Sequence, residues 1–367
     1  MILRAKTKYL FDKFELTDIQ RKNSNLNLYE IENNVFELNS LPRRLVLELT
    51  NACNLNCIMC GRNAVDFKPT IFKLEWLRKF ESILNQVEEV SLFGWGEPTV
   101  HPQFVEILKY LDKFNVRKYF CTNGMKLDKL KDDIFNYNVD IIAVSVDGST
   151  SSTNDKIRRG SDLLKISNSL KEIVDEKKRR GINKPYINFV FCAMDSNLDE
   201  LPGLVRLAAD IGIEEVKAVY LTAFDDNLSK EVLWNKQEKV REIFNETVKL
   251  GDELSVKVKL PHIQGEDEAK DKYHKNCYVG WRDLFLGSDG FVRPCMSTPI
   301  KFFSIDEHDS FEYLWNSEKY KEFRKTVNDN DCMPNECKRC YQSSHCNWNR
   351  KESFIQIGNE FAPDWEK

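Results

Sequence analysis

Leu45-Val46-Leu47-Glu48-Leu49-Thr50-Asn51-Ala52-Cys53-Asn54-Leu55-Asn56-Cys57-Ile58-Met59-Cys60 reads as a short apolar strand that runs straight into a loop of three cysteines. Three thiolates can hold three irons of a four-iron cluster and leave the fourth iron open to a small molecule, whereas four thiolates close an electron-transfer centre. Duller readings compete with this one. Structural zinc wants four N or S ligands, and no His follows within the next forty residues. Disulfides need an oxidising compartment, and the N-terminus Met1-Ile2-Leu3-Arg4-Ala5-Lys6 lacks the apolar core of an export signal. Unrelated core thiols are the third alternative.

Outward from this stretch, β-rich runs alternate with longer amphipathic ones. Strands are predicted at 45–50, 89–93, 117–121, 140–146, 186–192 and 215–221, and helices at 74–85, 103–114, 127–136, 162–180, 198–211 and 236–250. Pro102 suits a helix start and Gly212 a helix end. The run Lys177-Lys178-Arg179-Arg180 before Gly181 reads as the cationic last turn of a helix and its cap. Six βα units in series predict an α/β fold, a partial (β/α)₆ TIM-like barrel, with function on the loops at the carboxyl ends of the strands. The cysteine loop follows the first strand, where such a site belongs. Residues 28–38 read as a hairpin or edge extension. A polar stretch at 261–273 separates the repeats from a cysteine-rich tail, which gives three parts: an N-terminal extension at 1–40, the barrel at 41–260 and the tail at 261–367.

At 367 residues, 41 % hydrophobic and 31 % charged, the chain has the composition of an ordinary globular protein. No run approaches the roughly 18 apolar residues of a membrane span. A net charge of −4 offers no basic footprint. The expectation is a cytoplasmic protein with neither nucleic acid nor membrane as partner. Eleven cysteines are unevenly spread: three in the loop, Cys121 and Cys192 singly, and six from Cys277 onward. Two metal-binding regions are implied.

The second strand ends in Phe93-Gly94-Trp95-Gly96-Glu97-Pro98, where glycines admit a ligand to the backbone and a carboxylate can accept from an ammonium group. With Cys53-x₃-Cys57-x₂-Cys60 one unit earlier, the chain resembles the radical S-adenosylmethionine superfamily. In that family S-adenosylmethionine chelates the open iron and a Gly-Gly-Glu turn receives its amino group; Trp95 stands here for the first Gly. The resemblance extends to Asn123 in Thr122-Asn123-Gly124, to Ser145 and Asp147, which would face the cofactor ribose, to Arg158 or Arg159, which would face its carboxylate, and to Asn197. Asn123-Gly124 and Asp147-Gly148 are also plain turn dipeptides.

In the tail, Cys277 and Cys295 flank an Asp289-Gly290 hairpin signal that would bring the two thiols together, and Cys337-Lys338-Arg339-Cys340 offers two adjacent ligands. With Tyr313-Leu314-Trp315-Asn316-Ser317-Glu318 between them, Cys277, Cys295, Cys337 and Cys340 resemble the SPASM or shorter Twitch tail, which implies one auxiliary [4Fe-4S] cluster. The long form needs a cysteine where Arg350 stands. Cys332 and Cys346 are further candidate ligands, of a second cluster or of a zinc knuckle with Cys337 and Cys340. Cys121 and Cys192 are candidate hydrogen donors to a substrate radical, or small buried hydrophobes.

The resemblance implies reductive cleavage of S-adenosylmethionine to methionine and a 5′-deoxyadenosyl radical, hydrogen abstraction from the substrate, and oxidation or coupling helped by the auxiliary cluster. It also implies a flavodoxin- or ferredoxin-type electron donor. An epimerase using a Cys hydrogen donor is the second reading, and a non-catalytic metal-binding or sensory protein the third. The substrate class is a small molecule (alcohol or carbohydrate) or a peptide segment, since the residues before the first strand look too few for a leader-peptide domain. Trp281, Arg282 and Arg293 could contact substrate or pack the hairpin.

Overall fold

The computed structural model describes residues 15–64, 68–224, 226–261, 263, 277–307, 311–329 and 331–338. Most of the linker-like stretch at 261–273 lies outside them, as do Cys340 and Cys346.

Seven parallel strands lie side by side in chain order: β1 (Arg44–Leu47), β2 (Glu89–Leu92), β3 (Arg117–Thr122), β4 (Ile141–Ser145), β5 (Tyr186–Ala193), β6 (Glu215–Tyr220) and β7 (Lys257–Lys259). Consecutive parallel neighbours, each joined by a crossover, wind in one direction and give the open TIM-like barrel that the six βα units predicted. Five helices fall close to their expected positions, α2 (Phe104–Leu111), α3 (Leu127–Asn136), α5 (Leu163–Arg179), α6 (Leu201–Ile211) and α7 (Gln237–Leu254), and a short α4 (Ser151–Ile157) stands where none was expected. Gly212 caps α6 in the left-handed region at φ 92°. At the end of α5, Glu176 pairs with Arg179 and Arg180, and Gly181 turns left-handed.

Side chains alternate across the sheet. Leu45, Leu47, Val90, Leu92, Phe120, Ile142 and Val144 pack outward under the helices, while Val46, Phe93, Tyr119, Ile141, Ala143 and Val190 pack inward on one another. Below them the barrel floor is charged, with Arg44 against Asp283 at 2.5 Å and Arg117 against Glu89 at 2.8 Å, all buried.

Three departures from the sequence reading have physical causes. The segment at 28–38 is no hairpin: its first half is the end of α1 (Asp18–Glu32), which starts behind a Thr17–Gln20 capping box, and the rest is turn and coil. Its buried stripe is almost wholly polar, because it serves backbone groups at the barrel's base. Gln20 donates to the carbonyls of Val87 and Asn115, and Asn27 to that of Trp281. Residues 74–80 form a 3₁₀ rather than an α-helix. Finally, the tail joins the barrel sheet. After α8 (Val279–Arg282), β8 (Asp283–Leu286) pairs parallel with the free side of β1, and β9 (Phe291–Arg293) and β10 (Phe303–Ser304) continue antiparallel. Beyond α9 (Glu312–Trp315) and α10 (Glu318–Thr326), Trp315 Nε1 donates to the Ser40 carbonyl and Arg324 to those of Phe36 and Gly280.

Candidate functional site

The cysteine loop is held at its start and at its middle. Thr50 Oγ1 donates to the Thr70 carbonyl, and the Asn51 amide clasps Lys68 O and Thr70 N at 2.8 Å each. Further along, Asn56 N and Ile58 N donate to the carbonyls of Arg159 and Ile157 at 2.9 Å, so the loop lies beside residues 157–159. Cys53, Cys57 and Cys60 are free thiols, each half-buried. Burial pushes the Cys53 thiol above its ordinary value and that of Cys57 up to about 11. A bound metal reverses this, because a coordinating thiol is deprotonated outright.

Donors face these sulfurs. Leu55 N reaches Cys53 Sγ at 3.4 Å, Asn123 Nδ2 lies 3.8 Å from the same atom, and Arg158 Nη1 lies 4.0 Å from Cys57 Sγ. Hydrogen bonds to ligating sulfurs are how proteins tune iron–sulfur clusters, so the residues present fit such a cluster. Among the described residues no three Cys, His, Asp or Glu side chains close on a single ion. In a cluster each thiolate takes an iron of its own.

The turn at 94–97 abuts the loop. Glu97 N donates to the Ala52 carbonyl at 2.9 Å, and a Cβ on Gly96 would stand 2.3 Å from Thr50 O and 2.4 Å from Ala52 O. The Glu97 carboxylate is buried and hydrogen-bonded: Oε1 accepts from Thr99 N, Thr99 Oγ1 and Thr122 Oγ1, and Oε2 from Asn123 N. Burial raises its pKa against those bonds. Among the described residues Oε2 carries a single donor, so the ammonium-accepting role expected here is open to that oxygen and to the backbone carbonyls of its turn. Trp95 is half-buried, edge-on to Phe224 at 5.7 Å, and its ring sits on Gly61, where a Cβ would come within 2.7 Å.

Strands β3 to β5 supply the rest. Asn123 Nδ2 donates to Asn54 Oδ1 at 2.8 Å, which ties β3 to the cysteine loop. Ser145, at the end of β4, is half-buried with its hydroxyl 3.7 Å from Cys121 Sγ. Asp147 is fully buried: Oδ1 accepts from Cys192 N at 2.7 Å and Oδ2 meets Arg158 Nε at 2.7 Å. Burial opposes both charges, but the contact carries Arg158 above its ordinary value. Asn197 Nδ2 donates to the Asp147 and Cys192 carbonyls. Of Ser145 and Asp147, Ser145 is the half-buried one, with only the weak thiol contact on its hydroxyl among the described residues.

The two single thiols separate. Cys121 packs with Trp95 and Cys295 against the inward cluster around Phe93, Tyr119, Phe285 and Met296. Cys192 packs with Ile58 and Met59 of the cysteine loop. Burial keeps both protonated, Cys121 up to about 11 and Cys192 further still. In the tail, β8 and β9 form the expected hairpin; Cys277 is buried, Cys295 and Cys337 half-buried, and Cys332 exposed. Trp281, Arg282 and Arg293 belong to the scaffold: Trp281 Nε1 donates to Val35 O, Arg282 is buried on Asp283, and Arg293 pairs with Asp289 across the turn. Sequence reading missed Glu48 and Asn154. Asn154 Oδ1 accepts from Asp147 N at 2.9 Å, and nothing local marks either residue.

Residues 47–208 match the model of the radical SAM superfamily, and residues 277–341 match that of the SPASM iron–sulfur cluster-binding domain; together they span well over half of the chain. Among curated relatives, the tungsten-containing aldehyde ferredoxin oxidoreductase cofactor-modifying protein of Pyrococcus furiosus is 23% identical over 86% of this chain and 92% of its own. The PqqA peptide cyclase of Gluconobacter oxydans is 25% identical over 89% and 90%. Among solved structures, Streptococcus suis SuiB bound to S-adenosylmethionine aligns with TM-score 0.63 at 15% identity, over 83% of this chain and 72% of that one.

Proposed function

Because this chain belongs to the radical SAM superfamily and carries a SPASM domain, with S-adenosylmethionine and [4Fe-4S] clusters as cofactors, we propose that it modifies a peptide side chain by hydrogen abstraction. The observation that carries the reading is the loop of Cys53, Cys57 and Cys60, held between the Gly96 turn, Asn123 and Arg158 at the carboxyl ends of the strands.

Cys53, Cys57 and Cys60 would hold the open cluster. Cys277, Cys295, Cys337 and Cys340 would hold an auxiliary one, with Cys332 and Cys346 as further candidates. When bound, the reduced cluster and S-adenosylmethionine supply a 5′-deoxyadenosyl radical able to take hydrogen from an unactivated C–H bond. The chain's own residues bind and orient. Backbone carbonyls at Trp95 and Gly96 would receive the cofactor ammonium, Arg158 its carboxylate, and the Ser145 hydroxyl its ribose. Asp147 holds Arg158 in place and Glu97 locks β2, β3 and the turn together. The inward apolar residues Phe93, Tyr119 and Met296 exclude water from the substrate side.

A peptide is favoured over a polyhydroxylated small molecule by two features. Relatives include the PqqA peptide cyclase and the subtilosin biosynthesis protein AlbA of Bacillus subtilis, and the patch between Trp95, Cys121 and Cys295 is apolar. A barrel at 41–260 and a cysteine-rich unit from 261 onward remain our division of the chain, in a reducing, cytoplasmic setting with a flavodoxin- or ferredoxin-type donor. The test is a screen of side-chain-deuterated peptides with the reconstituted, reduced protein. Deuterium appearing in 5′-deoxyadenosine supports the reading; deuterium transfer from polyols alone overturns the substrate class.

A further inference from the structure

Glu48, one residue past β1, is buried, and its carboxylate divides between two segments far apart in sequence. Oε1 accepts from Trp95 N at 2.7 Å, in the turn after β2. Oε2 accepts from Ser288 N at 3.2 Å and Ser288 Oγ at 2.9 Å, at the tip of the β8–β9 hairpin. The Ser288 hydroxyl also meets Thr70 Oγ1 at 2.7 Å, where the cysteine loop returns. Glu48 N is held in turn by the Leu286 carbonyl at 3.0 Å. The fit is tight, since a Cβ on Gly94 would lie 2.3 Å from Glu48 Cγ.

A buried carboxylate needs donors wherever it sits. What distinguishes Glu48 is which donors it takes. Trp95 N–H belongs to the turn that abuts Thr50 and Ala52, and Ser288 belongs to the hairpin whose second strand leads to Cys295. We infer that Glu48 is a positioning residue that fixes the 94–97 turn and the 287–290 hairpin as one unit, so that docking of the cysteine-rich segment is felt as affinity for S-adenosylmethionine. This rests on the function proposed above.

The test uses the reconstituted full chain with amide hydrogen exchange and S-adenosylmethionine titrations of Glu48→Ala, Glu48→Gln and Ser288→Ala. Glu48→Ala is expected to expose the Trp95 and Ser288 amides together and, through loss of a charge-assisted hydrogen bond, to raise KM for S-adenosylmethionine about tenfold or more. Its iron content should stay unchanged because the cysteines are untouched, and its kcat should fall far less than its affinity, because the turn loses one tether while its bond from Glu97 N to Ala52 O still seats it on the loop. Glu48→Gln keeps an acceptor for Trp95 N and a donor for Ser288 Oγ but sets its amide nitrogen against Ser288 N–H, so Trp95 protection and part of the affinity should return. Ser288→Ala should raise KM a few-fold from outside the first site.

Unchanged Trp95 protection and KM in Glu48→Ala, or equal impairment of the Ala and Gln variants, overturns the inference. If Glu48→Ala fails to fold, Glu48→Gln and Ser288→Ala carry the test. Exchange shifting as stated in a chain that never cleaves S-adenosylmethionine would leave the link standing and remove the function. Cleavage by the wild type with an unaltered KM in the variants would do the reverse.

Discussion

Gly96→Ala asks whether the 94–97 turn positions the cofactor. The added Cβ would lie 2.3 Å from Thr50 O, 2.4 Å from Ala52 O and 2.7 Å from Asn51 C, where ordinary contact begins at 3.4 Å. All three atoms are backbone, and the Asn51 amide clamps them to Lys68 and Thr70, so no flexible side chain can give way. Turn and loop must part by about 1 Å, and the 2.9 Å bond from Glu97 N to Ala52 O would break. Overpacking of this kind costs about 1–3 kcal/mol of stability, which a domain with average stability of about 5–15 kcal/mol survives. A misplacement of about 1 Å near the reacting atoms costs about 10²-fold in rate, or about 2.7 kcal/mol. The assay is 5′-deoxyadenosine formation by the anaerobically reconstituted protein, with iron content and melting temperature as controls. Iron should stay near wild type, since the cysteines are untouched, while the rate falls about a hundredfold. Gly181→Ala, with nothing within 4 Å of its Cβ, should leave the rate unaltered. A Gly96→Ala rate within about threefold of wild type refutes the reasoning.

At the base of the barrel, Glu88 is buried against Arg43 at 2.6 Å and takes the Ser24 hydroxyl. Burial alone would raise its pKa, but Arg43 and Ser24 hold it below the ordinary carboxylate value. Its contribution to stability is therefore present above the unfolded-state pKa and lost as pH falls through the depressed folded value. Glu88→Gln should lower unfolding free energy near neutrality by about 3 kcal/mol, with the deficit shrinking below pH 4 in urea titrations. Asn27→Ala should cost about 1–3 kcal/mol by stranding the Trp281 carbonyl, read as a lower urea midpoint at unchanged slope. Cys121→Ser and Cys192→Ser should each leave substrate oxidation within about threefold of wild type, because oxidation returns no hydrogen atom to the substrate radical and burial holds both thiols neutral. Loss of solvent deuterium at the product carbon in either variant would favour epimerisation instead.

Local patterns carried the barrel. Runs such as Ile141 to Val144 and Phe189 to Phe191 are apolar on both faces, because helices cover one side and the inward cluster fills the other, and that pattern is visible without the fold. The strand-end glycines and the cysteine spacing marked the site for the same reason: each is a short-range requirement of the backbone or the metal. What stayed hidden is long-range. The α1 stripe of Gln20, Asn23, Asn27 and Glu30 has helical spacing but no hydrophobicity, so a search for apolar periodicity passes over it. Pairing of β8 with β1 joins Asp283 to Arg44 across most of the chain, and no local signal encodes such a partner. Glu48 reads as an ordinary strand-end residue until Trp95 and Ser288 arrive from elsewhere. Asp147 is expected at the ribose by resemblance alone, and its contact with Arg158, eleven residues on, has no local signal.

The most direct test of the account is anaerobic turnover of S-adenosylmethionine by the reduced, reconstituted chain, with wild type beside Cys53→Ala, Cys57→Ala and Cys60→Ala. Wild type should release 5′-deoxyadenosine and methionine in equal amounts, and each single substitution should abolish both while the tail keeps its iron. A wild type that binds iron and never cleaves S-adenosylmethionine, or a Cys57→Ala variant that cleaves it normally, would contradict the account.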